Sequence, residues 1–274
     1  MAIITISREL AALGDETARE LARILGYRLV QKDAIERRMR ESGTPDGKFA
    51  RYDERKPSFL AGLSPYREDY LHFLQSAVFA EAGEGDCVLV GRGANVILGK
   101  LPALVSVFLS ARIEVRVERV KGYFSCDEKR AAQIIDRSDR DRSGFHRSFF
   151  NVQWRHPGNY HLTFNTGILS PADCAETIAG IKERLFPGET EGQNREALRE
   201  MLLAHRIRHR ILYERELPIR FMEVFVSGRV VTLRGATNSQ GLLDAAVEIA
   251  AETAGSGTEL NNEIQIIREY GVMP

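Results

Sequence analysis

The stretch Ile3-Ile-Thr-Ile-Ser-Arg-Glu-Leu-Ala-Ala-Leu-Gly14-Asp-Glu-Thr-Ala18-Arg-Glu-Leu-Ala-Arg-Ile-Leu-Gly26 decides the fold. Residues 3–6 are a short apolar run, suited to a strand buried on both faces. Residues 7–14 lack periodicity and read as a loop. Ala18, Leu21, Ala22 and Leu25 then recur at helical spacing, and Gly26 stops the helix. Strand, short loop and helix N-terminus together make a place for an anion, because first-turn N–H groups and the helix dipole point toward it.

Working outward, apolar strands are predicted at 27–30, 87–90, 105–109 and 161–166. Helices are predicted at 70–82 and along Ile113, Val117 and Val120. Another is capped by Ser170, with Pro171 and Asp173 at its first and third positions. Residues 36–65 are polar and broken by glycine and proline, which predicts an insertion or small helices. Residues 129–147 are arginine-rich and read as helical in part. Strands alternating with helices predict an α/β fold, a parallel sheet flanked by helices on both faces.

Phe186-Pro-Gly-Glu-Thr-Glu-Gly-Gln-Asn194 is rich in breakers and predicts a linker. Beyond it the pattern is α-β-β-α-β in about 70 residues, near the lower size limit of an independent core. The expected organisation is a first domain over 1–186, a connector with a helix start over 187–199, and a small α+β domain over 200–274.

A chain of 274 residues has room for such a pair. Lys plus Arg and Asp plus Glu each number 38, so the formal net charge is zero. That balance argues against a dedicated nucleic-acid binder, while leaving a local basic site open. Cys87, Cys126 and Cys174 lack metal-ligand spacing, and an odd, patternless count fits a reducing compartment. The N-terminus lacks a secretion signal, and no apolar run approaches the ~20 residues of a membrane helix. A cytoplasmic protein with no integral membrane segment is therefore expected. His146, His156 and His161 lack ligand spacing. His205 and His209, set among arginines 206, 208 and 210, read as a charged solvent face, so no protein metal site is predicted.

The common phosphate-loop signature is G-x-x-x-x-G-K-[ST]. Here the loop Ser7 to Thr17 has one glycine and no lysine. The wider pattern is more specific. Ile3-Ile-Thr-Ile-Ser-Arg-Glu-Leu, Gly14, Ala18-Arg-Glu-Leu-Ala and Leu25-Gly-Tyr-Arg-Leu-Val are followed, in order, by Val88-Leu-Val-Gly91-Arg92-Gly93-Ala94. Then come Val107-Phe-Leu-Ser-Ala111, Val115-Arg-Val-Glu-Arg119, Asp136-Arg-Ser-Asp-Arg-Asp-Arg142 and Tyr160-His-Leu-Thr-Phe-Asn-Thr166. Over residues 1–186 this series resembles the cytidylate kinase-like family, a group of P-loop phosphotransferases.

The resemblance implies transfer of the ATP γ-phosphoryl group to a nucleoside monophosphate, CMP or dCMP, with Mg2+. On that reading Ser7, Gly14, Asp15, Glu16 and Thr17 belong to the loop that cradles the donor phosphates. Lys32 and Asp33 border the monophosphate site. Arg92, between Gly91 and Gly93, holds the acceptor phosphate bidentately. Arg137, Arg140 and Arg142 close over the transferring group, with Asp139 or Asp141 orienting them. Other readings stay open: Arg92 as a structural arginine tying a loop, Lys32 and Asp33 as a helix start, and Ser7, Glu9, Glu16 and Thr17 as capping residues. Residues 129–147 hold six basic and three acidic side chains, so a solvated helix face is the alternative to a lid.

Two departures bear on activity. Ala11 and Leu13 stand where the family has glycine, and Asp15 puts negative charge near the phosphate position. Arg8 is the candidate replacement for the missing cation. An active kinase and a catalytically weak nucleotide sensor are both compatible with this pattern.

Val224-Phe-Val-Ser-Gly228-Arg-Val-Val-Thr-Leu-Arg-Gly235, Ala245-Ala-Val-Glu-Ile-Ala and Leu260-Asn-Asn-Glu-Ile-Gln resemble a BON domain. The resemblance implies a ligand or protein partner for this module. No catalytic set occurs in it, so an accessory or dimerisation role is expected, and a homo-oligomer is one outcome of that.

Overall fold

Strand β1 (Ile3–Arg8) is buried from Ile3 through Ser7 and leads into helix α1 (Gly14–Leu25). Then follow β2 (Arg28–Val30), α2 (Lys32–Glu41), α3 (Arg67–Gly83), β3 (Cys87–Val90) and the short helix α4 (Ala94–Ile97). The series continues with β4 (Leu104–Ser110), α5 (Ile113–Phe124), α6 (Glu128–Phe150), β5 (Leu162–Asn165) and α7 (Pro171–Leu185). The structure, a computed structural model, describes residues 1–42, 67–186 and 188–267. Most of the polar segment 36–65 lies outside the described residues; its beginning belongs to α2.

The sheet runs β2-β3-β1-β4-β5, all parallel. Ile4 lies opposite Val88 on one side and Val105 on the other. The strand order therefore reverses at β1, and in open α/β sheets the crevice at the carboxyl ends beside such a point is where ligands bind. Ala18 and Leu21 of α1 pack with Cys174, Ala175 and Ile178 of α7 against Ile4, Ile6, Val88 and Val107. Burial pushes the Cys87 thiol up to about 12 and that of Cys174 to about 11, so both are inert core residues. The predicted cap of α7 is present as a reciprocal Ser170–Asp173 capping box.

Glu81 of α3 ties this end of the sheet together. It accepts from Arg28 of β2 and, at 2.9 Å, from Arg38 of α2. Burial alone would raise its carboxyl, but the two guanidiniums outweigh that and hold it below the usual range.

Helix α6 is continuous over 23 residues, longer than the partial helix expected. The Asp127 side chain caps it by accepting from the Arg130 N–H at 2.7 Å. Its buried residues, Ala131, Ile135, Asp139, Arg142, Phe145, His146 and Phe149, keep helical spacing throughout. Two of them are charged, which hides the stripe from a hydrophobicity reading.

The chain divides into two compact units, residues 1–195 and 196–274. The division falls inside helix α8 (Gly188–His209), so the stretch predicted as a linker is helical. Asn194 gives the reason. It is fully buried, accepts from the Ala103 N–H at 2.7 Å and donates to the carbonyls of Ala103 and Met1. Those tertiary bonds override the weak helix preference of glycine.

In the second unit α8 ends in a π turn (Arg210–Glu214), followed by β6 (Arg220–Ser227), β7 (Val230–Thr237), α9 (Gln240–Ala254) and β8 (Glu259–Ile266). β6 and β7 are antiparallel, while β7 and β8 are parallel across α9. Ile207, Ile211, Met222, Val231, Leu233, Ala246, Ile249 and Ile264 form its core. His205 is buried, contrary to the solvent face expected for it. Burial, then Arg208 and His209, push its imidazole down to about 4.

Candidate active site

The loop after β1 adopts a conformation its residues resist. Ala11 and Leu13 have φ of 59° and 53°, the left-handed region. That region costs an L-residue roughly 1–2 kcal/mol. Three successive carbonyls are fastened, two from α5 and one from Thr166 just after β5. Arg116 donates to Leu10 O at 2.8 Å, Arg119 to Ala11 O at 2.9 Å, and the Thr166 hydroxyl to Ala12 O at 3.1 Å. The helical ladder begins with Thr17 N–H to Leu13 O at 3.0 Å. The N–H groups of Gly14, Asp15 and Glu16 precede it, so the first turn leaves N–H donors of the kind that suit an anion.

Arg8 packs its stem over Gly14: a Cβ there would lie 2.4 Å from Arg8 Cγ. Its Nε reaches Asp15 at 3.2 Å. The loop's cation is thus present and engaged with the loop's own carboxylate. Thr17 is buried, with its hydroxyl donating to Leu13 O at 2.8 Å. Ser7 is buried and Glu16 half-buried beside them.

Beside this loop stands the turn after β3. Gly91, Arg92 and Gly93 all have positive φ, and the Gly91 N–H donates to Ile6 O at 2.9 Å. Arg92 is 3% exposed, bonded to Glu36 and, at 3.4 Å, to the Tyr70 hydroxyl. Lys32 Nζ lies 3.4 Å from the same Glu36 oxygen. Lys32 and Arg92 therefore converge on one carboxylate. Asp33 is exposed in the first turn of α2.

Helix α6 forms a wall of a cleft of about 1380 Å³, lined also by Glu9, Ala111, Arg116 and Arg155. Arg137 and Arg140 are on that wall, and Arg140 pairs with Asp136 at 2.6 Å. Arg142 is buried and donates to Ser138, off the wall. Asp139 does not orient those arginines. It is buried and accepts from Arg116 at 2.7 Å and Arg155 at 2.6 Å. Glu9 takes the same two guanidiniums, at 3.1 and 2.8 Å. Two buried carboxylates thus balance two arginines between the phosphate loop and α6.

Sequence reasoning passed over Arg116, Arg119, Arg155 and Thr166, and read Glu9 only as a cap, where it instead pairs with Arg116 and Arg155. Arg116 carried a usable signal, since it falls inside the apolar stripe of Ile113, Val117 and Val120. Phe145, Phe149 and Trp154 are buried packing residues.

The chain belongs to the cytidylate kinase-like family, whose sequence model matches residues 3–168. Residues 202–268 match the BON domain. No curated protein matches the chain. Among solved structures, an uncharacterized protein from Eubacterium ventriosum is 20% identical, with 68% of this chain and 98% of that one covered and a TM-score of 0.50. A shikimate kinase from Acinetobacter baumannii, solved with shikimate, is 15% identical over 66% of this chain and 92% of its own, with a TM-score of 0.38. A gluconokinase from Sinorhizobium meliloti is 13% identical over 67% and 95%, at 0.39. The first likeness speaks to the fold alone, and the other two are too distant to carry an argument. The fold is that of a P-loop kinase, with a BON domain following it. Among the described residues, no helix is long and apolar enough to cross a membrane.

Proposed function

We propose that the protein transfers the γ-phosphoryl group of ATP to a nucleoside monophosphate of the CMP or dCMP kind. The observation that carries this reading is the loop at the switch point of the sheet, whose Glu9 also lines an arginine-bearing cleft, in a chain of this family. Such transfer needs positioning and charge stabilisation more than covalent chemistry from the protein. The N–H groups of the loop, with Ser7, Gly14, Glu16 and Thr17 shaping it, hold the donor phosphates. Arg8 exchanges Asp15 for phosphate oxygen. Lys32, Asp33 and the turn Gly91-Arg92-Gly93 border the acceptor, whose phosphate takes the place of the Glu36 carboxylate. Arg137 and Arg140 stabilise charge on the transferring group, and Arg142 acts by fixing Ser138 in their helix.

Magnesium neutralises phosphate charge when bound, and usually does so through one or two carboxylates, waters and the phosphates themselves. Asp15 fits that need: it is in the first turn of α1 and its side chain is 47% exposed. The second reading is a nucleotide sensor acting through the BON module. The Arg8–Asp15 pair and the non-glycine residues at 11 and 13 favour it.

Phosphorus NMR with ATP, magnesium and a mixture of CMP, dCMP, UMP, AMP and GMP separates the two. Diphosphate formed by the parent and lost in Arg140→Ala establishes the kinase and names its acceptor. Nucleotide binding without turnover establishes the sensor.

A further inference from the structure

Most arginines facing the cleft are already neutralised. Arg116 and Arg155 share Glu9 and Asp139, and Arg140 pairs with Asp136. Arg137 and Arg147 line the same cleft, both exposed, and neither has an ion-pair partner among the described residues. A residue spacing of ten along α6 sets their backbones about 15 Å apart. Between them the wall carries Asp139, Arg140 and Asp141, then Ser143 and Gly144, small residues that leave room for a ligand on the Arg147 side.

The two ends of α6 face different parts of the site. At its start, Ala131 and Ile135 cluster with Val117 and Val120, and Leu10 and Ala11 of the phosphate loop pack against them. At its end, the Phe150 ring fills the space where a Gly93 side chain would stand. Arg67 of α3 donates to the Ser148 carbonyl at 2.9 Å, and Tyr70 of α3 packs on Phe149. Arg137 therefore belongs to the phosphate-loop end, and Arg147 to the end beside the turn that carries Arg92.

We propose that Arg147 is an acceptor-binding residue, reading an anionic or strongly hydrogen-bonding group of a phosphorylated small molecule. With Arg137 it gives the cleft one uncompensated cation at each end, matching two phosphorylated ligands bound side by side. The inference rests on the kinase reading above and adds a residue to it.

Calorimetry with CMP and, separately, ADP tests it in the full chain. Arg147→Ala weakens CMP binding about tenfold, the loss expected for a charge-assisted hydrogen bond, and leaves ADP binding unchanged. Arg147→Lys recovers part of it. Arg23→Ala, an exposed arginine on α1 away from the cleft, alters neither. Unchanged urea midpoints exclude a folding effect. Equal weakening of both ligands by Arg147→Ala, or none of CMP, overturns the assignment while leaving the kinase reading intact. A parent that binds neither nucleotide removes both.

Discussion

Arg119 donates to the Ala11 carbonyl at 2.9 Å, and its second terminal nitrogen donates to the Thr166 carbonyl at 2.6 Å. One guanidinium on α5 thus fastens the phosphate loop to the end of β5. Ala11 needs the restraint, because its φ of 59° is unfavourable for any residue with a side chain. Arg119→Met should free the loop and weaken ADP binding. Adding Ala11→Gly should restore part of that binding, since glycine reaches the same backbone shape without help. Equal ADP affinity in the parent and Arg119→Met would refute the role.

Ala11→Gly alone should stabilise the protein. The relief of left-handed backbone is worth about 1 kcal/mol, partly offset by the freer unfolded chain. Urea denaturation reads the outcome, and a lower midpoint than the parent's would show that the methyl group contributes more than the strain costs.

Gly93→Ala should do the opposite. The position has a φ of 66°, and a Cβ would lie 2.3 Å from the Phe150 ring. Overpacking of this kind costs about 1–3 kcal/mol, before the backbone penalty. Phe150→Leu should recover much of the loss in the double variant. Additive effects of the two substitutions would show that the ring is not the obstacle.

Asp139→Asn removes one charge from the Glu9–Arg116–Asp139–Arg155 group while keeping its shape. Breaking a buried ion pair costs about 3–5 kcal/mol, the upper end applying where no other carboxylate remains. Glu9 remains here, so the lower end is expected. A urea midpoint within error of the parent's would mean that Glu9 alone satisfies Arg116.

His205 predicts a pH dependence in the second unit. Its folded pKa, about 4, lies below the ordinary 6.5, so folding favours the neutral ring. The contribution is fully present above pH 6.5 and is lost as pH falls toward 4, because the unfolded chain takes up a proton that the folded one refuses. The loss amounts to about 3 kcal/mol at most. Hydrogen exchange at Val231 and Leu233 should quicken between pH 7 and 5 after correction for intrinsic rates. His205→Phe should flatten that trend, and an unchanged slope in the variant would assign it to other groups.

Strand positions were legible because β1, β3 and β4 are near-continuous apolar runs, the mark of strands covered on both faces. The Ser170 cap and the α9 helix were equally plain. The site was legible only in outline. The family resemblance points to Arg92 and Arg137, and position in the loop to Arg8, but no local pattern reveals that Arg92 meets Glu36, or that Asp139 serves Arg116 instead of its neighbours on α6. Those pairings join residues 56 and 23 positions apart and depend on how the helices cross the sheet edge. Asn194 misled for a related reason: a side chain read as a loop former is the one that locks a helix in place.

That lock has a practical consequence for anyone who dissects the chain. A cut at residue 186, where the glycines and proline invite it, would take the Asn194 side chain away from the N–H and carbonyl of Ala103 and from the carbonyl of Met1. The N-terminal fragment would then carry an unsealed seam under its central strands, prone to sticking to its neighbours. Cutting after Arg195 keeps the seam closed, and that is the fragment in which to test the proposed phosphoryl transfer alone.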